Sequence, residues 1–324
     1  MREPSFWYQP AGWQSTLLAP LGWIYAALTA RRVKSPPTRK AAVPVICVGN
    51  INAGGTGKTP TVIALVERLT QAGLTPHVVS RGYGGTVAGP VQVTADHSAD
   101  EVGDEPLLMA AFGPVWVAKD RALGVKAAEA AGAEVIILDD GFQNPSVHKD
   151  INIIVVDGRR QFGNGRVIPA GPLREPIAAG LARADVVLCI GGDGELDLPV
   201  AIPQTHATLK PLQTGMMWTG LRVLAFAGIG DPNKFFRTLR DIGAELIKSE
   251  PLEDHQPLTD ALMKRLELEA EALVAQLVTT EKDAVRLPDN FRQKVLTVPV
   301  RLDVSDWSKI DKLLTDAGLQ LSSD

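Results

Sequence analysis

The chemistry of this 324-residue chain is most legible at Asn52-Ala53-Gly54-Gly55-Thr56-Gly57-Lys58-Thr59. Closely spaced glycines let backbone N–H groups converge on phosphate oxygens, a lysine after them reaches the β- and γ-phosphates, and a threonine hydroxyl ligates Mg²⁺. The spacing follows G-x-x-x-x-G-K-[ST] except at Asn52, which stands where the first glycine belongs. The apolar run Val43–Val48 precedes it, and Pro60, whose φ suits the first turn of a helix, follows it. Strand, loop and helix in that order are the context a phosphate loop requires; a plain glycine-rich turn is the alternative. A triphosphate site also needs an acid at the end of a neighbouring strand, to hold the shell of Mg²⁺. Val135–Leu138 followed by Asp139-Asp140 supplies it, with either carboxylate eligible. An Asn-Lys-x-Asp that would specify guanine is absent, since Lys282 and Asp283 are adjacent, and this favours ATP.

Phosphoryl transfer to a hydroxyl also calls for a group that orients or accepts the proton. Gly103-Asp104-Glu105-Pro106 offers two carboxylates on a turn before a helix; N-capping by Asp104 is the structural alternative. Asp254-His255, far along the chain, matters to the same chemistry only if a second domain closes over the first. Arg81, Arg121, Arg166 and Arg174 each stand in or beside a glycine-bearing loop after a strand-like run. Guanidinium groups there suit phosphate, because ligands of open α/β sheets bind at the carboxyl ends of the strands. A salt bridge is the alternative for each arginine.

Strand-like runs at 77–80, 115–118, 135–138, 151–156 and 186–190 alternate with helical patterns, which predicts an α/β, doubly wound parallel sheet. Gly/Pro-rich, acidic sequence follows Gly191. The runs Gln204–Leu209 and Gly215–Trp218 read as linker strands, and a new α/β pattern starts at Leu221. The expected organisation is therefore an N-terminal segment (1–40), a P-loop kinase domain (41–205), a strand linker (206–218) and a smaller α/β domain (219–324).

The first segment has a character of its own. Residues 1–40 carry six basic residues against one acid, while the whole chain is at −4. Trp, Tyr and Phe cluster there, around the nearly apolar run Leu17–Leu28. That run is too short to cross a bilayer, which takes ~20 residues. It lacks the basic start and the cleavage site of a signal peptide. An interfacial helix, aromatics at headgroup level and Arg31-Arg32 on anionic lipid, is the better reading; packing on the protein's own core is the other. An overall acidic balance argues against generic nucleic-acid binding. Two cysteines, Cys47 and Cys189, rule out a disulfide framework.

From about residue 6 to residue 287 these motifs together resemble the tetraacyldisaccharide 4′-kinase family, the lipid A 4′-kinases. The likeness rests on Val48-Gly49-Asn50 with the P-loop, Ser80–Gly85, Gly103–Pro106, Asp139-Asp140-Gly141-Phe142-Gln143, Phe162–Gly165, Pro169–Glu175, Ala227–Gly230, Asp254-His255 and Thr279–Asp283. The resemblance implies two α/β/α units joined by a strand linker with ATP between them. It implies transfer of the γ-phosphate to the 4′-hydroxyl of a tetraacylated disaccharide 1-phosphate, on the cytoplasmic face of a Gram-negative inner membrane. It implies that Asp104, assisted by His255, acts on the acceptor hydroxyl, and that Arg121 and Lys58 serve the transfer. Glu105, Gln143, Arg81 and Arg174 are expected around the same site. Asn144 departs from the pattern, which usually has His there. A peripheral P-loop ATPase that drives a partner protein would not need a carboxylate–His pair, and a non-catalytic scaffold would not need Lys58, Thr59 and Asp139.

Overall fold

The computed structural model describes residues 3–192, 194, 196–254 and 256–321. Within them the strands are β1 (Val45–Gly49), β2 (Pro76–Ser80), β3 (Val91–Gln92), β4 (Val115–Val117), β5 (Val135–Asp139), β6 (Ile151–Asp157), β7 (Val186–Ile190), β8 (Gln204–Pro211), β9 (Arg222–Ala227), β10 (Glu245–Pro251), β11 (Gln276–Thr280), β12 (Val295–Val298) and β13 (Val300–Val304). The helices that matter below are α1 (Trp13–Val33), α2 (Lys58–Gln71), α3 (Asp104–Met109), α4 (Arg121–Ala130), α5 (Pro232–Asp241), α6 (Asp260–Ala272), α7 (Glu281–Ala284) and α8 (Ser308–Asp316).

Two sheets result. The larger runs β13-β8-β7-β6-β1-β5-β2-β4-β3, the smaller β10-β9-β11-β12. From β8 to β4 the large sheet is parallel; β13 and β3 close its edges antiparallel. The smaller sheet is parallel throughout. Continuous apolar runs make the central strands, because both faces are covered. On one face of the large sheet Val62, Leu65, Val66 and Leu69 of α2 and Ile310 and Leu314 of α8 pack on Ile46, Val48 and Ile137. On the other, Val125 and Ala128 of α4 pack on Cys47, Val79 and Ile136. Cys47 and Cys189 are free and buried, small core residues of the central strands. The small sheet is covered likewise by Met263 and Leu266 of α6 on one face and Phe235, Phe236 and Leu239 of α5 on the other.

The C-terminal course differs from the sequence expectation. Residues 204–211 do not bridge two units as a free linker; β8 is a full member of the large sheet beside β7. Residues 215–218 are not a strand. Nor does the chain stay with the smaller sheet after 219. β13 returns to pair with β8, and α8 covers the same face as α2, tied by the Arg68–Asp311 ion pair. The physical reason is edge protection: β8 would otherwise expose its outer row of N–H and C=O groups.

Helix α1 inverts the usual amphipathic arrangement. Its buried residues are Ser15, Gly22 and Thr29, two turns apart each time. The Ser15 hydroxyl donates to the Ala170 carbonyl at 2.7 Å, and a Cβ on Gly22 would meet the Val167 carbonyl oxygen at 2.8 Å. Small residues let the helix lie close on the 164–170 loop. Trp13, Leu17, Leu21, Ile24 and Leu28 share the outward face, each more than half exposed. Arg31, Arg32, Lys34 and Lys40 are exposed at its end, whereas Arg39 is paired with Glu129. No helix among the described residues is long and apolar enough to cross a membrane.

Candidate active site

Loops after β1, β2, β4, β5 and β6 share the carboxyl end of the parallel sheet, so the sequence motifs converge there. The loop after β1 turns into α2 through Gly57, whose φ of +100° and whose contact with Ile190, 2.5 Å from a would-be Cβ, both exclude a side chain. Not all of Asn52–Thr59 faces a ligand. The Asn52 amide donates to the Gln161 carbonyl at 2.8 Å, and the Ala53 N–H to the Pro172 carbonyl at 2.7 Å. These two residues fasten the loop to residues 161–173. A glycine at 52 would lack that amide, which accounts for the departure from the phosphate-loop pattern. The rest of the cradle, Gly54 to Thr59, is braced from below by the Asn50 amide on the Gly54 carbonyl and the Thr56 hydroxyl.

Lys58 and Thr59 open α2. The Lys58 ammonium lies 3.7 Å from Asp140 Oδ1. Asp140, in the left-handed region at φ 50°, also receives the Arg174 guanidinium at 2.9 and 3.0 Å. Burial opposes its charge, but Lys58 and Arg174 outweigh that and hold the carboxyl below the usual range. Asp139 is the contrast. Only 3% exposed, it is pushed up to about 7 by burial first and then by Glu105 and Asp140, against Lys58 and the Ser80 hydrogen bond. Its Oδ2 accepts from the Ser80 hydroxyl at 2.9 Å, while Oδ1 is buried with no hydrogen-bond partner. The sequence left the two acids equivalent; their surroundings make Asp140 an ion-pair partner of cations and leave Asp139 with an open oxygen. An unpartnered buried carboxylate oxygen on a side chain that interacts with Lys58 fits a hard cation.

Gln143 and Arg174 reach the same place, with Glu175, which sequence reasoning did not single out. Gln143 donates to the Asn50 carbonyl at 2.7 Å and to Glu175 at 3.0 Å, and Arg183 completes the set on Glu175 at 2.5 Å. Arg121, at the start of α4, is buried and spends its guanidinium on the carbonyls of Asp140 and Asp139, at 2.8 and 3.3 Å, bracing their turn. Arg81 is exposed on the loop after β2. Arg166 is drawn elsewhere, to the Ser15 carbonyl of α1. Asn144 caps its own turn, its side chain accepting from the Ser146 amide and hydroxyl.

Asp104 is 3% exposed at the first position of α3. The N-cap is Gly103, not Asp104, and Asp104 Oδ1 accepts from the adjacent Glu105 amide. The Arg286 Nε lies 3.9 Å from its Oδ2. Glu105 meets Lys282 at 3.2 Å, and Lys282 meets Asp254 at 3.5 Å. Burial works against the charge on Lys282, yet Glu105, Asp254 and Asp104 outweigh it and raise its pKa. Thus the Thr280–Asp283 corner and Asp254 of the small sheet stand against the Gly103–Pro106 turn of the large one. His255 lies outside the described residues. A second junction is at the P-loop, where a Cβ on Gly230 would sit 3.8 Å from the Gly55 nitrogen. Beside Asp104 a cleft of about 1560 Å³ opens between the two sheets' helices, bordered by Tyr83, Leu107, Phe112, Trp218 and Leu287.

The profile of the tetraacyldisaccharide-1-P 4′-kinase family matches residues 14–318. The chain belongs to this family. Among curated relatives, the tetraacyldisaccharide 4′-kinase of Dinoroseobacter shibae is 60% identical over 94% of each chain. That of a Jannaschia species is 59% identical over 96% of this chain and 97% of its own. Among solved structures, the LpxK of Aquifex aeolicus, described as the apo form in complex with ATP, superposes with a TM-score of 0.78 at 26% identity, covering 94% of this chain and 99% of that one. Fold and family thus agree with the motif reading, while Asn50, Gln143 and Glu175 come together as one hydrogen-bonded group only in the fold.

Proposed function

We propose that this chain transfers the γ-phosphate of ATP to the 4′-hydroxyl of a tetraacyldisaccharide 1-phosphate in lipid A biosynthesis, at the cytoplasmic face of a Gram-negative inner membrane. The observation that carries the reading is the convergence of three groups at one end of the sheet: Lys58 on the P-loop, Asp139 with its open oxygen, and buried Asp104.

Gly54–Gly57 cradle the phosphates through backbone N–H groups, and Lys58 neutralises charge on the group in transit. Asp140, held ionised by Lys58 and Arg174, keeps that ammonium in place until phosphate oxygens compete for it. Asp139 and Thr59 suit Mg²⁺, which when bound would offset negative charge on the transferring phosphate. Asp104 orients the acceptor hydroxyl and takes its proton as the bond forms. A carboxylate is weakly basic for this, which suffices because the loose transition state asks little of the nucleophile until late. Lys282 and Arg286 place positive charge beside Glu105 and Asp104, which holds the two carboxylates in position. The resemblance adds His255 as partner of Asp104.

A tetraacylated acceptor stays in the bilayer, at ~0.8 kcal/mol per CH₂ withdrawn. The outward Trp13–Leu28 stripe of α1 supports docking there as a peripheral helix, with Arg31, Arg32 and Lys34 toward anionic lipid. Purified protein with γ-labelled ATP and the tetraacyldisaccharide 1-phosphate in mixed micelles should give a labelled, doubly phosphorylated lipid. ATP turnover at the same rate with no lipid, and no labelled lipid, would refute the kinase reading and return the ATPase alternative.

A further inference from the structure

Ser80 ends β2 and Asp139 ends β5, and the parallel register Val79↔Leu138 sets them side by side. Both side chains are 3% exposed. A hydroxyl has a single proton, and Ser80 gives it to Asp139 Oδ2 at 2.9 Å while accepting the Gly82 N–H at 3.4 Å. One carboxylate oxygen is therefore engaged from the strand side, and the other, Oδ1, is the one left without a partner. The chain after Ser80 then runs along the segment that leads into Asp104. Thr86 and Val87 donate to the carbonyls of Asp100 and Glu101, each at 3.0 Å. A Cβ on Gly85 would stand 2.5 Å from the Glu101 carbonyl oxygen, and one on Gly103 would stand 2.7 Å from that of Tyr83. Backbone meets backbone here, so the loop after β2 and the turn before α3 move together or not at all.

We propose that Ser80 is a positioning residue for the transfer reaction: it fixes the Asp139 carboxylate so that Oδ1 faces a divalent cation, and through Gly82 ties that carboxylate to the turn that carries Asp104. This rests on the reading of Asp139 as a cation ligand in a kinase site. The reaction needs the charge-neutralising and the proton-accepting groups at a set separation, and Ser80 joins Asp139 by its hydroxyl to the loop that packs on the Asp104 turn. Without the hydroxyl, Oδ2 loses its donor, the carboxylate is free to turn, and the Gly82 N–H loses its acceptor.

The test is Mn²⁺ binding by electron paramagnetic resonance, with ADP present and no lipid, on the full chain and on Ser80→Ala and Ser80→Thr. Losing a hydrogen bond to a ligating carboxylate lowers metal affinity by about 10–100-fold. Ser80→Ala should therefore bind Mn²⁺ that much more weakly while its affinity for metal-free ADP stays within about threefold, and Ser80→Thr, which keeps the hydroxyl, should recover most of the loss. The activity of Ser80→Ala should rise again at high Mg²⁺ without reaching the parent kcat, because the Asp104 turn is also loosened. Unchanged Mn²⁺ affinity in Ser80→Ala overturns the inference, as does a parent chain that binds no Mn²⁺. A merely structural Ser80 would lower thermal stability and leave the metal affinity of the folded protein untouched. Since no acceptor enters the binding assay, a failed kinase assay with hydroxyl-dependent Mn²⁺ binding would refute the kinase reading alone.

Discussion

Two adjacent aspartates do opposite things at the residue scale. Asp140 faces Lys58 and Arg174 and stays charged; Asp139 faces Glu105 and apolar strand and holds a proton up to about 7. The unfolded chain releases that proton near pH 4. Since the folded pKa is raised, the native state binds the extra proton, and stability of the ligand-free protein falls as pH rises from about 4 to about 7. Asp139→Asn, which still accepts from Ser80, should remove that penalty. Its melting temperature should exceed the parent's at pH 8 and converge with it near pH 4, and its transferase activity should be lost. A variant less stable than the parent at both pH values would contradict the assignment. Lys58→Ala should lower kcat by orders of magnitude with the fold retained, because charge neutralisation dominates phosphoryl transfer. Asp104→Ala should lower kcat by about 10²–10⁴-fold with little change in the KM for ATP. Its combination with His255→Ala should fall little below the worse single variant, as residues acting together are not additive. Near-normal turnover of Asp104→Ala would confine that residue to a structural part.

Helix α1 is the element whose construction is most unusual. Its apolar stripe faces out, and its small residues face in. Burying an exposed Leu or Trp of that stripe in lipid contributes about 1.5–3 kcal/mol each. Vesicles of anionic lipid should therefore bind the protein, high salt should release part of it, and detergent the rest. Leu17→Glu with Leu21→Glu should abolish vesicle binding and leave the melting temperature nearly unchanged, since both side chains are more than half exposed. Gly22→Leu is the reciprocal change. It forces a side chain into the Val167 carbonyl, lifts the helix from the 164–170 loop, and should expose residues 13–33 to protease. Salt-resistant and carbonate-resistant retention in membranes would instead indicate insertion across the bilayer.

At the scale of the molecule the contacts between the two sheets' units include charged ones: Lys282 with Glu105, Arg301 with Glu281, Lys234 with Asp157, and Arg160 between Glu3 and Asp231. Arg160 also lies over the Tyr8 ring, so the N-terminal residues, the large sheet and α5 share one cation. These contacts flank the P-loop on one side and Asp104 on the other, which supports closure of the smaller unit over the nucleotide. Lys282→Ala leaves Glu105, beside Asp104, without its cation. It should lower kcat while leaving the affinity for ATP nearly unchanged, and should increase the radius of gyration of the ATP-analogue complex by X-ray scattering. Identical scattering and kcat would show that the bridge plays no part in closure.

Local sequence determined much of this. The apolar runs at 45–49, 135–139 and 151–157 are strands because their composition suits burial on both faces, and the P-loop is recognisable because glycine and lysine at that spacing have few other uses. The motif order was enough to indicate the family. What sequence could not decide is which neighbour each polar group acquires. Asp139 and Asp140 are indistinguishable in the chain; Ser80, from a strand distant in sequence, and Arg174, from a loop after another, separate them. Asn52 departs from a loop pattern for a reason found at Gln161. Glu175 and Asn50 gain meaning only through Gln143. The outward face of α1 follows from where the 164–170 loop lies, not from the helix. The return of β13 to β8 follows from an unpaired sheet edge, which exists only once the sheet has formed. Periodicity is a property of neighbours in sequence, so it fixes elements; hydrogen bonds and charges act between neighbours in space, so pairing, and with it the division of labour in the site, is settled by the tertiary structure.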